Sequence, residues 1–432
     1  MAAALTFGLV VSNGTVAKAA DVVEIKFPTY LAGENVGAQF FLPEVERFNE
    51  KYEGKYKITV EEVPQASYAD KIKQLAQQNK LPVLVHAPGS GGIDTQWFKQ
   101  VVLANDMAYD LSSFAEENPD VAANWVDESV DFCTVDGKLI CKPLSVIKPV
   151  GLYYNSSMYT ADKDIKDMSV DEFMDSLGDN KIAFQTAENG WTTALLLAAL
   201  IGNEEGGADL LNNNADDKLW DYTAEPFVNG VAKLQTLLEK NASSNTIGAA
   251  YADAANAFMS KGASIICNGS WMASEFDAES SDKWSNDFSG DDVKATIYPG
   301  NIAIVNQRNY GEFWISNNAS DEEKEAAEKF LVWLNTSETG MKYVIEECSF
   351  IPYNADPDVI SAGYSLGDSI LSYVKEGKTI TNAYAGMPAS YATFTLGAHL
   401  LENYVNTAEW PETAYSDIAD FIVSSWSEAA GL

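Results

Sequence analysis

Residues 22–86 alternate strand and helix patterns in the order β-α-β-α-β, and this alternation restricts the fold more than any other feature of the chain. Val23-Glu24-Ile25-Lys26-Phe27 has period-two strand character, and Phe41, Val45, Phe48 and Tyr52 recur at helical spacing until Gly54. Ile58-Thr59-Val60 reads as a second strand, Ile72, Leu75 and Ala76 mark a second helix, and Pro82-Val83-Leu84-Val85-His86 is a short apolar third strand. This order predicts a parallel sheet with helices on both faces. Ligands of such sheets sit beyond the carboxyl ends of the strands. The loops Tyr30–Asn35 and His86–Gly92, both rich in small and polar residues, are therefore site candidates.

The chain of 432 residues is long enough for two or three cores. Asp136-Gly137 is a hairpin turn signal within Thr134–Leu139. It leads into an extended stretch, Pro143 to Asn155, held by Pro143 and Pro149, which suits a strand crossing between domains. Beyond it the alternation restarts: a helix over Phe173–Leu177, a strand at Ile182–Phe184, and helices at Trp191–Leu200 and Phe227–Leu238. Strands follow at Ser264–Cys267 and Asp292–Ile297, and another strand-like stretch runs through Phe313–Ser316. Ser320-Asp321-Glu322-Glu323 is a capping-box pattern opening a helix whose apolar face is Ala327, Phe330, Leu331 and Leu334. The last hundred residues read mostly helical.

With 63 acidic against 28 basic residues the net charge is −35, a surface that repels nucleic acid and anionic lipid. The only arginines are Arg47 and Arg308, which leaves little of the guanidinium fork that grips phosphates and carboxylates, so a neutral ligand is expected ahead of a cationic one. Acidity that serves solubility alone is the alternative. Ala2–Val11 is a short apolar run followed by Ala17-Lys18-Ala19, so residues 1–20 read as the remnant of a secretory signal. Leu9-Val10-Val11-Ser12 resembles the run before a lipoprotein cysteine, with Asn13 where that cysteine would stand. An extracytoplasmic location is expected, as a cell-surface lipoprotein or as a periplasmic or secreted protein. No apolar run reaches the ~18 residues of a membrane span, and Thr193–Ile201 is too short. Cys133 and Cys141 flank the hairpin and could form a bridge or remain free thiols; Cys267 and Cys348 add no metal or redox spacing.

Metal and catalytic signals are weak. Asp162-x-Asp164 lacks the glycine and distal glutamate of a calcium loop, and two histidines, His86 and His399, have no zinc spacing. No metal site and no cofactor is expected. P-loop, dinucleotide and nucleophile-elbow motifs are missing. A glycosidase needs two well-placed carboxylates, and nothing singles out a pair. Sugar binding has better support. Pyranose C–H faces stack on flat aromatic rings while their hydroxyls need polar partners, so a site mixes Trp or Tyr with polar loop residues. Asn268-Gly269-Ser270-Trp271, Glu188-Asn189-Gly190-Trp191 and Asp94-Thr95-Gln96-Trp97 each set a tryptophan beside turn residues. Trp333 and Trp426 lie in amphipathic helices and read as core.

Three motifs in order carry a resemblance. Asp136-Gly137-Lys138-Leu139 with Pro143 and Leu152-Tyr153-Tyr154-Asn155 is the first. Phe258-Met259-Ser260-Lys261-Gly262-Ala263 leading to Asn268-Gly269-Ser270-Trp271 is the second. Ala326 to Leu334 with Ser337-Glu338 and Ile351-Pro352 is the third. Over nearly all of residues 22–432 the chain resembles the extracellular sugar-binding proteins of ABC importers, the family that includes maltose-binding proteins. Leu81-Pro82-Val83 departs from the family's Pro-Asp, and Pro88–Gly92 is unusually rich in glycine, so the ligand class is open to difference from maltodextrins.

The resemblance implies an α/β, two-lobed periplasmic-binding-protein fold, each lobe a mainly parallel sheet flanked by helices, the lobes joined by crossing strands. Residues 21–146 and 302–352 would form the N-terminal lobe, and 147–301 and 353–432 the C-terminal lobe. It assigns ligand contact to Trp271 and Trp191, to Glu34 and Asn35, to His86 and Lys148, and more loosely to Tyr391 or Phe394; the tryptophan-bearing turns add Asn189 and Trp97 as candidates. The implied function is capture of a neutral mono- or oligosaccharide by a monomer and its delivery to the transmembrane subunits of an importer, without chemistry. A secreted glycan hydrolase or lyase, or a binder of polyamine or peptide, are the alternatives.

Overall fold

The computed structural model describes residues 22–346, apart from 34, 36, 89–92, 94–96, 188–189, 213–223 and 306–309, together with 351–352 and 379–380. Strands β1 (Val23–Thr29) and β2 (Tyr56–Glu62) pair in parallel, with Ile25 opposite Ile58 and Phe27 opposite Val60. The connecting helix Ala38–Lys51 buries Phe41, Val45 and Phe48 on the stripe its spacing predicts. The helix Gln65–Gln77 buries Tyr68, Ile72 and Ala76. Strand β3 (Leu84–His86) starts two residues after Pro82, which has no N–H for a ladder. Its partner arrives from far along the chain: β12 (Phe313–Ile315) pairs with it antiparallel. These elements and the helix Asp321–Thr336 share one core, around Phe27, Phe48, Trp314 and Phe330. That helix carries the predicted capping box: Glu323 N–H donates to Ser320 Oγ, and Ser320 N–H donates to Glu323 Oε2.

The chain then crosses. The hairpin β4 (Thr134–Val135) and β5 (Lys138–Leu139) turns through Asp136 and Gly137, both at positive φ (52° and 78°), as a tight primed turn requires. β6 (Val146–Ile147) follows, and β7 (Val150–Asn155) enters a second body, whose cores draw on residues from Ile147 to Val305. There β7 pairs antiparallel with β9 (Ile265–Gly269) and β10 (Val293–Thr296), and β8 (Ile182–Ala183) pairs in parallel with β9. β11 (Ala303–Ile304) joins β7 antiparallel and β14 (Thr379–Ile380) in parallel. Pairing is thus mixed, because the strands that carry the chain between bodies run against their neighbours. β13 (Ile351–Pro352) lies antiparallel on β6.

The apolar run from Thr193 to Ile201 is the helix Trp191–Gly202, buried along every residue after its first. A helix apolar all round belongs inside a core. Among the described residues no helix is long and apolar enough to cross a membrane. Cys133 and Cys141 are both buried free thiols, as is Cys267. Trp333 is partly buried, with its indole N–H donating to the Glu44 carbonyl. Trp426 and most of the expected C-terminal helices lie outside the described residues.

Candidate functional site

Strand β9 ends at Gly269, and the chain turns at once into the 3-10 segment Ser270–Phe276. This turn lifts Trp271 from the sheet edge while leaving it partly buried. Gly269 makes room for it: a Cβ there would stand 2.0 Å from the indole Cη2. Trp191 opens its helix directly after Gly190, whose left-handed backbone (φ 55°, ψ 33°) aims the first turn. The two elements set the indoles side by side, ring centroids 5.5 Å apart and planes at 42°. The crossing strand reaches the same spot, because Ser270 N–H donates to the Pro149 carbonyl (2.9 Å) next to Lys148.

Tyr251, at the start of the helix Tyr251–Met259, connects this aromatic pair to a groove. Burial and then the Glu275 charge raise its phenol well above the ordinary range, while hydrogen bonding with Asn268 and Trp271 acts the other way. The groove has a volume of about 640 Å3 and lies between the two bodies. One wall is Tyr251, Ala255, Asn256, Met259, Glu275 and Lys283; the other is Gly33, Asn35 and the first turns of the Ala38–Lys51 helix, including Gln39 and Leu42. Asn35 Oδ1 accepts from Gly37 N–H (2.8 Å) and its Nδ2 donates to Gln65 (3.1 Å), which fixes that rim. Glu275 is 6% exposed; burial raises its carboxyl pKa and the Lys283 ammonium opposes that rise.

Beneath the crossing lies a charged knot. Lys142, fully buried, donates to Glu312 Oε2 (2.7 Å) and Ser145 Oγ (3.3 Å), and Lys148 Nζ stands 3.9 Å from Glu312 Oε1. Burial acts to raise the Glu312 carboxyl, but Lys142 and Lys148 outweigh it and hold it low. Gly311, at φ +74°, permits the close approach: a Cβ there would meet the Lys142 carbonyl at 1.9 Å.

Of the residues expected at a ligand, the structure brings Trp191 and Trp271 together, sets Asn35 on the groove rim and leaves Lys148 exposed in the link between β6 and β7. His86 is placed differently. It ends β3 rather than standing in the following loop, is 2% exposed, and its Nε2 lies 2.8 Å from Thr29 Oγ1. Its ring packs among Phe27, Tyr30, Tyr68 and Phe313 because the β12 pairing covers it. Trp97 is likewise in the first core, 7% exposed, because it leads into the segment Phe98–Leu103, whose Phe98 and Val102 are buried in that core. Glu34, Asn189, Tyr391 and Phe394 lie outside the described residues. Sequence reasoning passed over Tyr251, Glu275, Lys283 and Glu312. Tyr251 had a usable signal, opening the helix that precedes the Asn268–Trp271 motif. Among the described residues no group of three or more His, Cys, Asp or Glu could hold a metal ion.

The sequence model of the family described as bacterial extracellular solute-binding protein matches residues 45–358. No curated protein matches the chain significantly by sequence. Solved structures similar to it include a chitin oligosaccharide binding protein (TM-score 0.72, 17% identity, covering 94% of this chain and 100% of that one). Another is an ABC substrate-binding protein from Listeria monocytogenes in complex with cycloalternan (TM-score 0.68, 15% identity, 95% and 100%). A third is a Streptococcus pneumoniae solute-binding protein in complex with the blood group A-trisaccharide (TM-score 0.64, 17% identity, 95% and 100%). At these identities the likeness carries the two-lobed fold.

Proposed function

The chain belongs to the bacterial extracellular solute-binding proteins, and from that premise we propose that it captures a neutral oligosaccharide between its lobes and passes it to an ABC importer. The observation that carries this reading is the pair of partly buried indoles, Trp191 and Trp271, beside a largely apolar interlobe groove edged by Asn35, Gln39, Asn256 and Glu275. Flat apolar rings suit pyranose C–H faces, and the surrounding amides, phenol and carboxyl suit hydroxyls. The groove's described charged groups are one carboxyl, Glu275, and one ammonium, Lys283. That balance leaves no surplus charge for an anion or a polyamine, and favours a neutral ligand. The similar structures named above, bound to or named for oligosaccharides, support the same class.

The mechanism is capture without chemistry. One lobe binds the sugar first on the aromatic pair; closure about the crossing strands adds contacts from the Asn35 and Gln39 wall. The ligand then favours the closed state by its differential affinity for it. Residues 21–146 with 302–352, and 147–301 with 353–432, are the two moving bodies in this reading. In this reading Lys148, in the link between β6 and β7, contacts the ligand, and Asn189, Glu34, Tyr391 and Phe394 are further contact residues.

A thermal-shift panel of neutral oligosaccharides, polyamines and short peptides tests the proposal, because a ligand at 100 times its Kd stabilises the fold by roughly 2.7 kcal/mol. Stabilisation by an oligosaccharide alone, with the sugar recovered intact, is expected. Stabilisation by a polyamine or peptide alone, or hydrolysis of the sugar, would overturn it.

A further inference from the structure

A second groove, of about 580 Å3, lies in the second body, lined by Ser243 to Ala249 with Leu238, Ala242 and Asp253. Its size falls within the ~300–1,000 Å3 of small-molecule sites. The loop that builds it is held rigidly. Thr186 Oγ1–H donates to the Thr246 carbonyl (2.5 Å), and Gly248 N–H donates to Thr186 Oγ1 (2.9 Å). Thr186 and Ala187 N–H both donate to the Ala249 carbonyl (2.8 Å each). Ala187 in turn accepts from Gly190 N–H (2.9 Å), in the turn that aims Trp191. At its far end the groove reaches Asp253, on the same helix whose first residue, Tyr251, lines the interlobe groove. This groove is therefore tied to Trp191 by a short hydrogen-bonded chain and to Tyr251 by the helix they share. Its lip exposes Asn245 and Ile247, the latter 67% exposed, an apolar surface this loop does nothing to bury.

Building on the reading of the cleft as a sugar site, we propose that the Ser243–Ala249 groove is an outer subsite that holds the distal units of an oligosaccharide whose first units lie on Trp191 and Trp271. The hydroxyl- and amide-lined floor takes sugar hydroxyls, and the Ile247 side chain takes a C–H face. A loop already fixed in place loses little freedom on binding. The ligand is accordingly a chain longer than a disaccharide.

The experiment is a calorimetric titration of wild type and the N245A/I247S double variant with chitooligosaccharides and maltooligosaccharides of two to six units. Both side chains are exposed, so the variant is expected to keep the wild-type Tm. For the series that binds, wild-type affinity should rise with length. The variant should bind the longest member at least fivefold more weakly and the disaccharide within twofold of wild type. Equal affinity of variant and wild type at every length, or an equal loss at every length, would overturn the outer subsite while leaving the cleft reading intact. Failure of both series to bind wild type would overturn the cleft reading and the subsite with it.

Discussion

Gly269 lies directly under the indole of Trp271, so close that a Cβ on the glycine would stand 2.0 Å from Cη2 and 2.1 Å from Cζ3. The backbone there is extended (φ −108°, ψ 173°), so alanine strains nothing except the ring. Gly269→Ala should therefore fold, with a loss of about 1–3 kcal/mol from overpacking. It should also displace Trp271 from Trp191 and weaken ligand binding at least tenfold, about 1.4 kcal/mol. Near-ultraviolet circular dichroism and calorimetric titration check the two effects.

Glu312 holds two lysines at the crossing, one of them fully buried. Removing one partner of a buried pair leaves the other charge uncompensated, whereas an apolar pair of similar volume does not. Glu312→Gln should cost about 3 kcal/mol in urea unfolding, and the K142M/E312L double variant clearly less than the sum of its single changes.

The buried His86 gives the fold a pH dependence. Burial, and next the Lys148 charge, lower its pKa to about 3 from 6.5, with Glu312 acting the other way. The unfolded chain therefore binds a proton that the folded chain refuses between about pH 6.5 and 3. This contribution is fully present above pH 6.5 and is lost as the pH falls, by up to ~1.4 kcal/mol per unit. His86→Gln, which keeps a polar partner for Thr29, should flatten the decline in urea midpoint between pH 7 and 4.5 relative to wild type.

The thiols flanking the hairpin should be inert. Burial pushes Cys133 and Cys267 up to about 12 and raises Cys141 as well. Thiolate is the reactive form, so a thiol reagent at pH 8 should leave all three unmodified in the native protein, and a reductant should leave Tm unchanged. Peptide mapping by mass spectrometry reads both outcomes; a Cys133–Cys141 bridge would contradict this.

Much of the fold could be read from the residues themselves because its signals are local. The stripe of Phe41, Val45 and Phe48, the Asp136-Gly137 turn and the Ser320 capping box each announce themselves within a few positions. Trp191 and Trp271 stood out for a similarly local reason: Trp191 directly follows Gly190, and Trp271 comes two residues after Gly269, each beside polar residues rather than in an apolar stripe. What could not be read depends on distant pairing. His86 seemed free because its cover, Phe313, lies more than two hundred residues away. Trp97 follows a polar Asp94-Thr95-Gln96 sequence yet is sealed by a core assembled from both ends of the lobe. Glu275 and Lys283 gain meaning only from the groove they share with Asn35, which no spacing reveals.

The central claim is that ligand rests on the indole of Trp271, and calorimetric titration of Trp271→Ala against wild type tests it most directly, using the neutral oligosaccharide that stabilises wild type best. The account predicts at least a tenfold loss of affinity in a variant that still folds. Affinity within twofold of wild type would contradict it.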